Sequence, residues 1–198
     1  MSAISEDFPR HRPEDAQIFS RRRWWLGLTM SDILDRVADV FPEKEALVDD
    51  TVRLTFSALR ARVDRLAAGL MNMGIAKGDT VLLQLPNWGE FVYSYFALQR
   101  IGAIPVLLIS GYKQLEVSHL ARLTQAKAWI APDAYRKIDY RSFMGEVKAK
   151  NPQLQHFIAV RAKKADGEFT ASLETLMARD LSATDRHNLE KRKPEPED

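Results

Sequence analysis

Cysteine is missing from all 198 residues, so a disulfide framework, thiol catalysis and thiolate metal binding are all excluded. Glycine is scarce. None of the nine glycines falls into G-x-G-x-x-G or G-x-x-x-x-G-K-[ST], the turns that bare backbone N–H groups to a phosphate. An excess of charge is missing too: 29 basic residues stand against 27 acidic ones, and a net charge of +2 lacks the positive surplus of a dedicated nucleic-acid binder. No apolar run reaches the roughly 18 residues that span a bilayer. The opening MSAISEDFPRHRPED has no apolar core like that of a secretory signal. A cytoplasmic protein with no nucleic-acid partner and no membrane span is expected. His11, His119, His156 and His187 stand singly, without metal-ligand spacing, so no metal site is expected. Ser110 lies on no G-x-S-x-G elbow. No catalytic, cofactor-binding or metal residue is assigned within the chain.

What is present reads as alternating strands and helices. Hydrophobic residues make up 45% and charged residues 28%, an ordinary globular balance. Residues 1–23 form a polar arm whose Arg21-Arg22-Arg23-Trp24-Trp25 suits RNA or membrane contact. Nearby acidic residues dilute that charge, and paired tryptophans also pin an arm onto a domain. Helices are expected over 31–40, capped by Thr29 or Ser31, and over 57–73, closed by Gly74. The stripe of the first is Ile33, Leu34, Val37 and Val40 or Phe41. A hairpin is expected between them, 46–48 with 52–56. The run 80–106 reads strand, turn, helix, turn, strand, one βαβ unit with its helix over 88–100. Ile104–Ile109 is apolar almost throughout, as in a strand covered on both faces. A helix over 114–125, a strand over 128–131, a helix over 140–150, a strand over 156–160 and a short helix over 173–179 complete the pattern. The expected fold is α/β, a three-layer, mainly parallel sheet with helices on both faces. The lobe spans 24–181, and 182–198 is a charged, disordered tail.

Two loops draw functional interest. Asn87 follows a strand and precedes a helix, the place of a side-chain cap. Ser110-Gly111-Tyr112-Lys113 follows a buried strand at its carboxyl end, where open α/β sheets take ligands, so Tyr112 and Lys113 are the candidate substrate contacts. Gly74 to Gly78, with Lys77 between, reads as a helix end and tight turn. The carboxylates Glu43, Glu45, Asp49 and Asp50 read as a solvated turn.

The segments LTFSALRARVDRLAAGL (54–70), GIAKGDTVLLQLPNWGEFVYSYFALQRIGAIPVLL (74–108) and LEVSHLARLTQAKAWIA (115–131) carry a resemblance. In order and spacing they resemble the early part of the AMP-forming acyl- and aryl-acid ligases, the adenylate-forming superfamily, and most resemble its 2,3-dihydroxybenzoate–AMP ligases of siderophore synthesis. The resemblance implies ATP and Mg2+ as cofactors and a carboxylic acid that attacks the α-phosphate of ATP. A thiol of coenzyme A or of a carrier's phosphopantetheine arm then takes the acyl group. It also implies that 182–198 leads toward an ATP-binding loop beyond this sequence, and that a fragment ending there is inactive alone. That branch commonly carries a His-Arg pair where this chain reads Gly111-Tyr112-Lys113, which leaves the acid open. The rival readings are an acyl-CoA ligase acting on a non-aryl acid, a stand-alone α/β binding or scaffold module, and a flavodoxin-like nucleotide binder.

Overall fold

A computed structural model describes residues 12–162 and 166–196. The sequence expectations for residues 1–11, His11 among them, and for the last two residues lie outside the described part. Helix α1 (Pro13–Arg21) stands where a polar arm was expected: Pro13 starts it, and Glu14 and Asp15 suit its positive end. None of its residues is buried. The rings of Trp24 and Trp25 close on Phe19 of this helix, at 5.7 and 5.2 Å between centroids. Helix α2 (Met30–Val40) opens with a capping box between Thr29 and Asp32. Of its expected stripe Leu34 is buried, but Ile33, Val40 and Phe41 are exposed.

Strands β1 (Glu45–Val48) and β2 (Arg53–Thr55) pair antiparallel as expected. Phe56 belongs to the next helix rather than to β2. Thr55 Oγ1 accepts from Ala58 N and so starts α3 (Phe56–Asn72) one residue early. Then come β3 (Thr80–Leu83), α4 (Gly89–Arg100), β4 (Ile104–Leu107), α5 (Gln114–Leu123) and β5 (Ala128–Pro132). A small hairpin, β6 (Ala134–Tyr135) with β7 (Ile138–Asp139), precedes α6 (Arg141–Lys150). Strand β8 (His156–Val160) is followed by β9 (Ala171–Ser172), α7 (Leu173–Met177) and α8 (Ala183–Lys191). The sequence pattern missed the hairpin and β9 because two-residue strands carry no periodicity.

The five-stranded sheet runs β4-β3-β5-β8-β9, with every pairing parallel. Alternation along its strands divides the core. Val81, Leu83, Ile130, Ile158 and Val160 face α2, α3, α4 and α7. Leu82, Trp129, Phe157 and Ala159 face α5 and α6. That is the three-layer α/β arrangement expected from the sequence. Strand β4, however, is an edge: Ile104 and Leu107 are exposed and Val106 only half-buried, so its apolar run is not covered on both faces. The amides of Ile104 and Leu108 donate to the carbonyls of Asp79 and Leu83, along β3 and the residue before it, which turns Pro105 outward, where its missing N–H leaves no ladder bond unmade.

Residues 183–191 of the expected disordered tail instead form α8. Ser182 and Asp185 form its capping box, and Leu189 is buried in the core against α3. Beyond it Lys193 reaches Asp32 at 2.6 Å and Asp35 at 3.5 Å on α2. Asp35 also receives both terminal nitrogens of buried Arg100, which pairs with Asp64 at 2.9 Å. Asp64, on α3, is half-buried beside this guanidinium. Burial raises the pKa of its carboxyl despite the nearby guanidinium. Among the described residues no helix is long and apolar enough to cross a membrane.

Candidate functional site

The chain leaves β3 for α4 on one face of the sheet and leaves β4 for α5 on the other, so the topological switch falls at the carboxyl end of β3. Buried Gln84 is the first residue past that strand. Its Nε2 donates to the carbonyls of Ile109 and Tyr112, both at 3.0 Å, and its Oε1 accepts from Trp129 Nε1 at 3.2 Å. The hydroxyl of buried Tyr140 donates to the Ser110 carbonyl. Three carbonyls of the loop after β4 are thus held by side chains from below. On the other side of the switch the rings of Trp88 and Tyr135 meet edge to face, 5.4 Å between centroids.

A second junction adjoins this one. Asp49, at the hairpin turn, accepts from the amides of Thr51 and Val52 through Oδ1, at 2.6 and 2.8 Å, and from Gly89 N through Oδ2 at 2.7 Å. The Gly89 bond first, then those within the turn, hold its carboxyl well below the usual carboxylate range. Gly89 sits so close to the hairpin that a Cβ would lie 2.9 Å from Val52 Cγ2. Arg161, just past β8 and at φ +53°, donates to both oxygens of Glu90 at 2.8 Å and to Thr51 Oγ1 at 3.0 Å. Its guanidinium lies 4.1 Å from the centre of the Trp88 ring. An open cleft of about 540 Å³ adjoins Arg161, lined also by Val52, Arg62, Arg65, Tyr93 and Met177. Burial pushes the Tyr93 hydroxyl above its ordinary value, so it remains a neutral donor.

The sequence-derived candidates fare unevenly. Asn87 is exposed and is not the cap: the cap position of α4 is Trp88, and the helix amide at Gly89 is met by Asp49 from 40 residues away. The aspartate read as a solvated turn residue therefore has the capping role assigned to Asn87. Its signal was present in Asp49-Asp50-Thr51, an Asx-turn pattern, but its partner across the fold was not. Tyr112 is half-buried against the α5–α6 core, while exposed Lys113 is the residue before α5, its own amide taken by Glu116. Gly74 and Gly78 are the positive-φ turn residues expected. His119 and His187 are exposed, and His156 opens β8. Nothing local marked Arg161.

The described residues hold no group of three His, Asp or Glu side chains able to ligate an ion. The first amide of α4 is occupied by Asp49, and the amide just before α5 by Glu116. What the arrangement offers is a rigid sheet edge whose loops are fixed from within, with Tyr112 and Lys113 above it and an arginine-lined cleft beside it.

Comparison with known proteins follows the same outline. The AMP-binding enzyme family matches residues 34–198. The 2,3-dihydroxybenzoate-AMP ligase of Bacillus subtilis (strain 168) is 36% identical over 145 residues, 73% of this chain and 27% of that protein. A Mycobacterium tuberculosis protein, salicyl-AMP ligase / salicyl-S-ArCP synthetase, is 36% identical over 156 residues, 76% of this chain and 27% of that protein. The apo structure of Mycobacterium smegmatis MbtA superposes with a TM-score of 0.81 at 30% identity, over 91% of this chain and 33% of that one. The chain thus spans a third or less of the length of these proteins.

Proposed function

The chain belongs to the AMP-binding enzyme family, and from that premise we propose that it forms the amino-terminal sheet lobe of a cytoplasmic ligase that activates an aryl carboxylic acid as its acyl adenylate. The thiol of coenzyme A or of a carrier's phosphopantetheine arm is the acceptor. The single observation that carries this reading is the 36% identity to proteins named for aryl-acid AMP ligases, over segments that include the β3–β4 unit and both its loops. ATP and Mg2+ are the cofactors of that reaction, and no step is routed through them here. The lobe's own part is positional. Gln84, Trp129 and Tyr140 fix the loop after β4, so that Tyr112 and Lys113 meet the acid: a ring edge for its apolar body and an ammonium for its carboxylate.

The test has two arms. The chain alone should support no ATP–pyrophosphate exchange with 2,3-dihydroxybenzoate or salicylate. Grafted in place of the equivalent lobe of the Bacillus subtilis ligase, it should support exchange that depends on an aryl acid. There Lys113→Ala should raise the KM for the acid about tenfold, the loss of one charged contact, without moving the melting temperature. A chimera that folds yet activates no aryl acid would sink the reading and favour a binding or scaffold module.

A further inference from the structure

The cleft beside Arg161 carries an imbalance of charge. Arg62 and Arg65 lie one turn apart on α3, hence on one face of the helix, and both line the cleft. Arg62 makes no ion pair among the described residues, and its guanidinium stands over the Tyr93 ring, 5.9 Å from the centroid. Arg65 has one carboxylate nearby, fully exposed Asp180, at 3.7 Å, beyond hydrogen-bond range. Its Nε–H is covered and has no acceptor. The two carboxylates that line the same cleft are already taken. Glu90 gives both oxygens to the Arg161 side chain, and Glu174 accepts the Arg161 amide at 3.3 Å. Both arginines therefore line one open volume with walls supplied by Val52, Tyr93 and Met177, and among the described residues neither has a carboxylate within hydrogen-bond range; Arg65 also borders the neighbouring cleft that holds Asp180.

We propose that Arg62 and Arg65 form a binding site for a phosphate monoester, with the phosphate between the two guanidinium groups and the organic body against Val52, Tyr93 and Met177. A carboxylate has two oxygens and serves one fork. A phosphate dianion has three and serves two forks at once, and its charge matches the pair. Arg65 also carries an Nε–H that the free protein leaves unmet, and a ligand that draws the side chain into the cleft would satisfy it. The Tyr93 hydroxyl, kept protonated by burial, is a further donor at the wall. The site needs no metal.

The test uses the 198-residue chain itself and does not depend on adenylation. Inorganic phosphate and phenyl phosphate are titrated at constant ionic strength, with benzoate as the carboxylate arm, while side-chain Nε–H resonances of arginine are followed by NMR. The expected result is saturable binding that shifts Arg62 and Arg65, tighter for phenyl phosphate than for phosphate, with benzoate weaker than both. Arg62→Gln and Arg65→Gln should each weaken binding about tenfold, one charge-assisted bond. Arg65→Lys, which keeps the charge and loses the fork, should recover only part of that. If Arg65→Gln does not fold, Arg62→Gln and the wild-type resonance shifts decide the matter. No saturable shift below about 10 mM phosphate, shifts confined to other arginines, or benzoate binding more tightly than phenyl phosphate would each overturn the proposal.

Discussion

Asp49 holds three segments through one carboxylate: its own turn, the start of α4, and Arg161 beyond β8. Asp49→Asn replaces one accepting oxygen by a donor that faces N–H groups, and should cost about 1–3 kcal/mol of unfolding free energy in urea titrations. Asn87→Ala, at the exposed position next to the cap, should stay within about 0.5 kcal/mol. The Asp49 effect depends on pH in a definite direction. The folded state holds its pKa below that of the unfolded chain, so its stabilisation is present above about pH 4 and lost as pH falls further. Asp32, lowered to about 2 chiefly by its bond with Lys193, loses its share over the same acid window. Urea midpoints measured from neutral pH down to about pH 3 should therefore fall less steeply in Asp49→Asn than in the parent chain.

At the scale of elements, close approach and edge position decide what a substitution does. Helix α3 carries Gly69 at the start of its last turn, where alanine would be the better helix former by up to about 1 kcal/mol. A Cβ there would lie 2.7 Å from the Leu176 carbonyl oxygen, in α7. Gly69→Ala should therefore destabilise by about 1–3 kcal/mol, the range for forced overpacking, against its own helix propensity. If Gly69→Ala raised the melting temperature, the α3–α7 contact would be looser than described. Strands β3 and β4 read alike as apolar runs, yet differ in place. Leu83→Ala opens a cavity in a fully buried strand and should cost about 2–5 kcal/mol. Val106→Ala, half-buried on the edge strand, should cost less than about 1.5 kcal/mol, closer to a partial transfer loss. Equal midpoint shifts for the two would show that β4 is covered in solution.

For the whole molecule the charged end of the chain is structural. The buried Leu189 and the reach of Lys193 to α2 join the last helix to the first half of the lobe, and the Arg179–Asp185 pair ties it to the segment after α7. Removing residues 182–198 should lower the melting temperature by several degrees, about what 1–2 kcal/mol means for a domain of this size, and calorimetry would show it. The sequence alone determined the alternating elements, the parallel three-layer sheet, the turn glycines at 74 and 78 and the family, because periodicity, capping residues and the order of segments are local properties of the chain. Tertiary structure alone decided which apolar strand became the edge, since strand order leaves no trace in a strand's own residues. It also decided that a charged tail would fold, by offering Leu189 an apolar surface and Lys193 two carboxylates. And it put Asp49, Glu90 and Arg161 in one junction, because the fold brings together charges that lie up to 112 positions apart along the chain.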